Sequence, residues 1–244
     1  MRLRAAALAA SALLAGCVGG APPAAQTPSA PAPVPPFAAE AVVLATHTQL
    51  GLLEMDGYVE RAGLLWRPTP VETANLSAAM VWNTAQPTEY DYTYTHVGPF
   101  AKGTQAGFTL GQYLAARAAV AYVCQGGKAT YDLSGAQLVP NGLYTLWVGQ
   151  ARTEKGLVVN DTALPAGATD GTENAFRADA QGAAGLHVAD APCQASTVQD
   201  AEGTGVMSYV ALALHTDGRT WGAEPGPFGN ATHIQMFGVV QAKA

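Results

Sequence analysis

The chain has 244 residues, of which 49% are hydrophobic and 12% are charged, so it can build a sizeable core in one or two domains. Its formal net charge is −6, from twelve basic and eighteen acidic side chains. This balance argues against nucleic-acid binding, which depends on the neutralisation of phosphates by basic side chains.

The first sixteen residues have the pattern of an export signal. Arg2 and Arg4 precede an apolar run over residues 5–14, which is too short to cross a bilayer because a spanning helix needs about 20 residues. The sequence LAGC at residues 14–17 then resembles the cleavage site of bacterial lipoproteins. In that family the cut precedes the cysteine, and the cysteine carries the lipid. An ordinary signal peptide and an uncleaved anchor are the alternatives.

The lipoprotein resemblance implies a signal peptide over residues 1–16 and a lipidated Cys17 carrying fatty acids such as palmitate. In Gram-negative lipoproteins that resemble this pattern, a residue other than Asp after the cysteine permits sorting to the outer membrane, so the resemblance implies through Val18 an outer-membrane anchor in the cell envelope. Removal of the signal takes away two arginines and no acids, which changes the net charge from −6 to −8. The predicted partner is therefore the membrane, reached through lipid, and not a nucleic acid.

Residues 17–37 comprise this cysteine and a tether rich in proline and alanine. Such a segment has no apolar face to bury and favours extended polyproline geometry. Sixteen residues of it, 21–36, span about 50 Å at roughly 3.1 Å per residue. We therefore expect a β domain over residues 38–244 that stands off the membrane.

The chain contains three cysteines, an odd number for an exported protein. If Cys17 carries lipid, Cys124 and Cys193 remain, and an oxidising compartment favours a disulfide between them. Two unrelated buried thiols are the alternative.

The body has the pattern of a mainly β protein, with short alternating runs separated by turn pairs such as Asn141-Gly142. The predicted strands are 75–83, 89–97, 119–125, 129–139, 143–151, 183–188, 206–215 and 232–240. Residues 41–53 fit a strand or a helix, and residues 52–66 predict a hairpin around Asp56-Gly57. A capping box from Thr109 to Gln112 predicts one short helix. Many short strands suggest a single β-sandwich, of jelly-roll or Ig-like type.

Five distinctive motifs lie between about residue 98 and residue 240. They are GFTLGQYLA at 107–115, LVPNGLYTLW at 138–147, NAFRADAQG at 174–182, HTDG at 215–218 and HIQ at 233–235. In this set the chain resembles a family of exported bacterial proteins to which no activity is attached. The resemblance implies a β-sandwich and supplies no catalytic residue.

Metal binding is the most specific chemistry that the histidines suggest. His215 and His233 flank a turn-rich loop, and adjacent antiparallel strands would bring them to one end of the sandwich, with His96 and Asp217 as further candidate ligands. Imidazoles with a carboxylate suit Zn or Cu. The alternative is that both histidines hydrogen-bond backbone groups at the mouth of the loop. Compact metal-binding motifs such as His-Glu-x-x-His are absent from the sequence. The sequence therefore names no cofactor beyond this possible Zn or Cu.

Two local groups of side chains suggest two further classes of ligand, sugars and calcium. Tyr90, Tyr92 and Tyr94 share one face of a predicted strand and would stack on sugar rings if exposed, whereas a core face or a cross-strand ladder is the alternative. Acidic side chains over 170–179 would suit calcium, unless they form a solvated loop.

No Gly-x-Ser-x-Gly elbow accompanies the few serines of the body. The sequence therefore favours a non-enzymatic envelope lipoprotein that binds or scaffolds, with a protein or a small molecule as the unidentified partner. The alternatives are a metal-binding protein or metalloenzyme using His215 and His233, and a carbohydrate-binding module.

Overall fold

The computed structural model describes residues 40–54, 57–89, 93, 95–194, 197–227 and 233–240, without the side chains of residues 40, 41, 233 and 234. The predicted signal, the lipidation site at Cys17 and the tether lie outside the described residues. Within those residues, no helix is both long and apolar enough to cross a membrane.

The described residues are mainly β, as the sequence predicts. The strands are β1 (Glu40–Thr46), β2 (Tyr58–Arg61), β3 (Leu64–Trp66), β4 (Met80–Thr84), β5 (Lys102–Thr109), β6 (Arg117–Gln125), β7 (Lys128–Ala136), β8 (Leu143–Glu154), β9 (Leu157–Pro165), β10 (Ala175–Arg177), β11 (Ala184–Pro192), β12 (Val198–Gln199), β13 (Gly205–His215) and β14 (His233–Val239). The helices are α1 (Pro70–Thr73), α2 (Leu110–Ala115) and a 3-10 helix at Thr48–Leu50.

Ten of these strands form one antiparallel sheet. Its main order is β10-β8-β13-β14-β1-β6-β7-β11, with β9 paired to β8 and β12 paired to β13. The two ends of this order approach each other, since β10 contacts β11. The large sheet is therefore curled, and one of its faces encloses the main core.

The second sheet has four strands in the order β3-β2-β4-β5. Its apolar side chains Val59, Val81 and Phe108 belong to the same buried cluster as Leu146 and Leu212 of the curled sheet. The two sheets thus share one core. This shared burial packs the small sheet against the curled sheet.

The predicted disulfide is confirmed. Cys124 ends β6 and Cys193 follows β11, and their Cα atoms lie 5.6 Å apart across a sequence separation of 69 residues. Because β7 pairs with both β6 and β11, the bond ties two strands that are not direct neighbours.

The predicted capping box is also confirmed. Thr109 Oγ1 accepts a hydrogen bond from the Gln112 amide, and Gln112 Oε1 accepts one from the Thr109 amide. The structure adds a second capped helix that the sequence analysis missed, α1, where Thr69 and Glu72 make the same reciprocal bonds.

Three local predictions are wrong. The hairpin over 52–66 turns at Ala62-Gly63, where both residues have positive φ, and not at Asp56-Gly57. Within 75–83, only the residues from Met80 onward form a strand, because residues 74–79 continue from α1 as turns. The described residues 95–97 of the predicted strand 89–97 are not in a strand.

Candidate functional site

The curled sheet has a second buried patch on the face opposite the main core. Alternation along β8 sends Leu146 and Val148 into the main core and leaves Thr145 and Trp147 on the other face. On this second face, Trp147 packs with Ala151, Tyr209, Ala211 and Ala213.

His215 and His233 are direct cross-strand partners. His215 ends β13 and pairs with His233, the first residue of β14, while its partner on the other side is Leu143 of β8. Opposed residues of an antiparallel pair share one face, with their Cβ atoms about 4.5–5.5 Å apart. The β13–β14 connection therefore brings the two predicted histidines to the same place, although the His233 side chain lies outside the described atoms.

His215 is held by a polar network on this face. Its Nε2 lies 2.7 Å from Thr145 Oγ1, and Trp147 Nε1 donates to the same oxygen at 2.7 Å. Because Thr145 accepts from the indole, its own proton is available for His215 Nε2. The hydroxyl therefore bonds both rings at once, and its role as donor or acceptor toward His215 Nε2 depends on the imidazole tautomer.

The environment keeps His215 neutral. The residue is 3% exposed, and burial lowers the pKa of its imidazole to about 4, against a smaller opposing effect of the Asp217 carboxylate. A neutral imidazole can bind a metal, but its pKa lies far from the value near 7 that suits a general base at neutral pH.

Asp217 is also engaged in local bonds. Its Oδ2 accepts from Arg219 Nε at 2.9 Å and from Trp221 Nε1 at 3.1 Å. One residue earlier, Thr216 Oγ1 donates to Asn83 Oδ1 of β4 at 2.7 Å, which joins the loop after β13 to the small sheet. Asp217 therefore shapes this loop and influences His215 through its charge.

His96, the fourth candidate ligand, is exposed beside the small sheet. Its ring lies 4.9 Å from that of Phe100, and its carbonyl accepts from the buried Arg67. Among the side chains that the structure describes, no three His, Cys, Asp or Glu residues come close enough to hold a metal ion. His96, Asp217 and His215 thus do not form a three-ligand site, and a site that includes His233 is not covered by this finding.

The acidic residues over 170–179 mostly cap turns. Asp170 Oδ1 accepts from the amide and hydroxyl of Thr172, Glu173 Oε2 accepts from the Ala168 amide, and Asp179 Oδ1 accepts from the amides of Gln181 and Ala183. These bonds support the solvated-loop interpretation over a calcium site. The predicted sugar-binding residues Tyr90, Tyr92 and Tyr94 lie outside the described residues.

A buried ionisable pair near this face was missed by the sequence analysis. His47 and Glu54 are both fully buried, with Nδ1 and Oε1 3.3 Å apart, and the His47 ring lies 5.3 Å from that of Phe237. No motif marks such a pair, because its residues follow β1 in an irregular segment. Thr145 was missed for a related reason, since its contact with His215 depends on the pairing of two distant strands.

Comparisons with known proteins add no relative. No protein-family model, no curated protein and no solved structure matches the chain. The resemblance to exported β-sandwich proteins therefore stays a prediction.

Proposed function

We propose that this chain is an envelope lipoprotein, anchored in the outer membrane through Cys17, whose β body binds or scaffolds and does not catalyse. In this proposal, residues 1–16 are the signal peptide, residues 17–37 are the lipidated cysteine and its tether, and residues 38–244 are the β domain. We propose a β-sandwich of the resembling family as the fold of that domain. The disulfide between Cys124 and Cys193 fits an oxidising envelope compartment.

The observation that carries the non-catalytic part is the state of His215. Its imidazole is buried, bonded to Thr145 and held neutral far below neutral pH. A general acid or base needs a pKa near its working pH, whereas a recognition surface needs fixed and satisfied polar groups. A hydrolytic activity of the purified protein that was lost in His215→Ala would contradict this part of the proposal.

The anchor is tested by Cys17→Ser in the full-length chain. Membrane fractionation should move this variant to the soluble fraction, with the Cys124–Cys193 bond intact and no incorporation of labelled palmitate. The double variant Cys124→Ser/Cys193→Ser is the matched control. It also replaces cysteines but keeps Cys17, so it should stay in the membrane. Retention of Cys17→Ser in the membrane would refute lipidation at this residue.

A transition-metal site is the second candidate function, favoured by the direct pairing of His215 with His233. In this proposal, Zn²⁺ or Cu²⁺ binds both imidazoles and displaces the Thr145 contact of His215, with Asp217 nearby. Calorimetric titration of the detergent-solubilised lipoprotein should show one site that disappears in both His215→Ala and His233→Ala. His187→Ala is the control, since His187 is exposed on β11 and pairs with Asp132. Equal binding by all three variants would exclude this site.

A further inference from the structure

The strand β9 is a free edge of the curled sheet. Among the described strands, only β8 pairs with it. Residues 160–164 of β9 oppose residues 152–148 of β8 without a break, and the one shift of register lies nearer the turn that joins the two strands. The outer side of this regular stretch therefore presents backbone N–H and C=O groups with which no described strand pairs.

Apolar side chains are exposed along this edge. Leu157, Val159 and Leu164 are 52%, 40% and 55% exposed, although all three belong to the strand. Asp161 is the only charged residue of β9, which has no lysine or arginine and no proline before its last residue. Edge strands of natural sheets are commonly protected by such residues. The composition of β9 is therefore that of an edge able to pair with another strand.

The other strands at the borders of the two sheets are irregular, covered or short. β5 begins with Lys102, and its register with β4 shifts on both sides of Trp82. β3 is bridged by Phe100 through Leu65, and β12 has two residues. β10 and β11 contact each other where the curled sheet closes. Among the described strands, β9 is thus the border best suited to accept another strand.

We propose that β9 pairs with β9 of a second copy of this chain, antiparallel and across a two-fold axis at Thr162. An antiparallel edge is complementary to itself, because a two-fold axis aligns the donors and acceptors of one copy with the acceptors and donors of the other. The inference goes beyond the proposed function. It does not rest on the lipid anchor, since β9 belongs to the β body.

Charge selects this register. The Asp161 carboxylate accepts a hydrogen bond from Tyr209 of the same chain, at 3.3 Å, and stays on the strand as its one charge. An axis at Asp161 would set two carboxylates directly opposite each other, which destabilises a sheet. An axis at Thr162 instead sets each Asp161 opposite Ala163 of the second copy and pairs the two threonines, a favourable cross-strand combination. The second copy then also extends over the exposed Leu164.

Sedimentation equilibrium of the full-length chain in density-matched detergent measures this association. Two paired strands bury a small area, so we expect a reversible monomer–dimer equilibrium. Thr162→Lys sets two ammonium groups opposite each other at the axis and should raise the dimer dissociation constant at least about tenfold. Since Thr162 is exposed, the far-UV circular dichroism of this variant should match that of the wild-type protein.

Ser134→Lys is the matched control. Ser134 is exposed on β7, which has a partner strand on each side, so its replacement should leave the dissociation constant unchanged. A wild-type chain that stays monomeric, or a Thr162→Lys chain that dimerises as the wild type does, would overturn the proposal.

Cysteine cross-linking tests the register. In the Cys17→Ser background the native disulfide holds the other two cysteines, so an introduced thiol is the only free one. Under mild oxidation, Thr162→Cys should yield a disulfide-linked dimer on non-reducing gels, whereas Ser134→Cys should not. Stronger cross-linking of Ala163→Cys than of Thr162→Cys, or equal cross-linking of Thr162→Cys and Ser134→Cys, would overturn the pairing proposed here.

Discussion

Among single residues, Thr145 joins two buried polar side chains on the second face of the curled sheet. Its hydroxyl is shared by the His215 imidazole and the Trp147 indole, both of which are buried. Thr145→Val keeps the shape of the side chain but removes the hydroxyl that bonds these two polar groups. A buried polar group that loses its hydrogen-bond partner costs about 1–3 kcal/mol of stability. Urea denaturation should show a loss of this size.

Thr162→Val is the matched control for Thr145→Val. Thr162 is exposed on β9, and its hydroxyl makes only a long contact of 3.4 Å with Gln150 O. Its replacement should change the free energy of unfolding by no more than about 0.5 kcal/mol. An equal loss in the two variants would show that the network does not stabilise the fold.

The protonation of His215 should make the protein sensitive to acid. The unfolded chain binds a proton at this imidazole below about pH 6.5, whereas the folded protein does so only below about pH 4. Since the folded pKa is depressed, stability should fall as the pH drops from about 6.5 to 4, by about 3 kcal/mol in total.

Denaturation midpoints at several pH values measure this effect. His215→Gln should flatten the dependence within that window. His187→Gln, which removes an exposed histidine from β11, should leave it in place. An unchanged slope in His215→Gln would assign the acid sensitivity to another group.

At the scale of elements, two loops approach each other closely at Gly171 and Gly222. A Cβ on Gly171 would lie 2.0 Å from the carbonyl oxygen of Gly222, whereas a Cβ on Gly218 would meet nothing within 4 Å. Both Gly171 and Gly218 have positive φ, of +76° and +73°. The backbone strain of an alanine is therefore similar at the two positions, and only Gly171→Ala adds a clash.

We expect Gly171→Ala to destabilise the protein by about 1–3 kcal/mol more than Gly218→Ala, because closely packed backbone cannot easily move aside. Thermal unfolding of the two variants provides the comparison. Hydrogen exchange should also increase over the loop from 166 to 174 in Gly171→Ala alone. Similar effects of the two substitutions would mean that the loops separate at little cost.

At the scale of the whole molecule, the disulfide joins two strands of the curled sheet across β7. It closes a loop of 69 residues, which by the chain-entropy model stabilises the fold by about 4 kcal/mol. Cys124→Ser/Cys193→Ser should lose about this much in guanidinium denaturation. The reduced wild-type protein should match it, and an unchanged midpoint in both would show that the bond does not constrain the unfolded chain.

Local sequence patterns predicted the longer elements of the molecule well. Short runs between turn pairs marked β6, β7, β8, β11, β13 and β14, of which β8 and β13 bury both faces in the two cores. The edge strands β5 and β9 were missed because most of their side chains are exposed or only half-buried, so they show no alternation. The misplaced hairpin near Asp56 shows that a favourable turn pair does not by itself select the turn that is used.

The sequence by itself determined the mainly β character, the capped helix α2 and the pair of cysteines, because alternation, capping and cysteine count are local or compositional properties. It also brought His215 and His233 together, since consecutive antiparallel strands leave little freedom of register. Only the tertiary structure decided that β1 lies between β14 and β6 and that Thr145 holds His215. These features depend on which distant strands pair, and that choice is made by burial across the whole core.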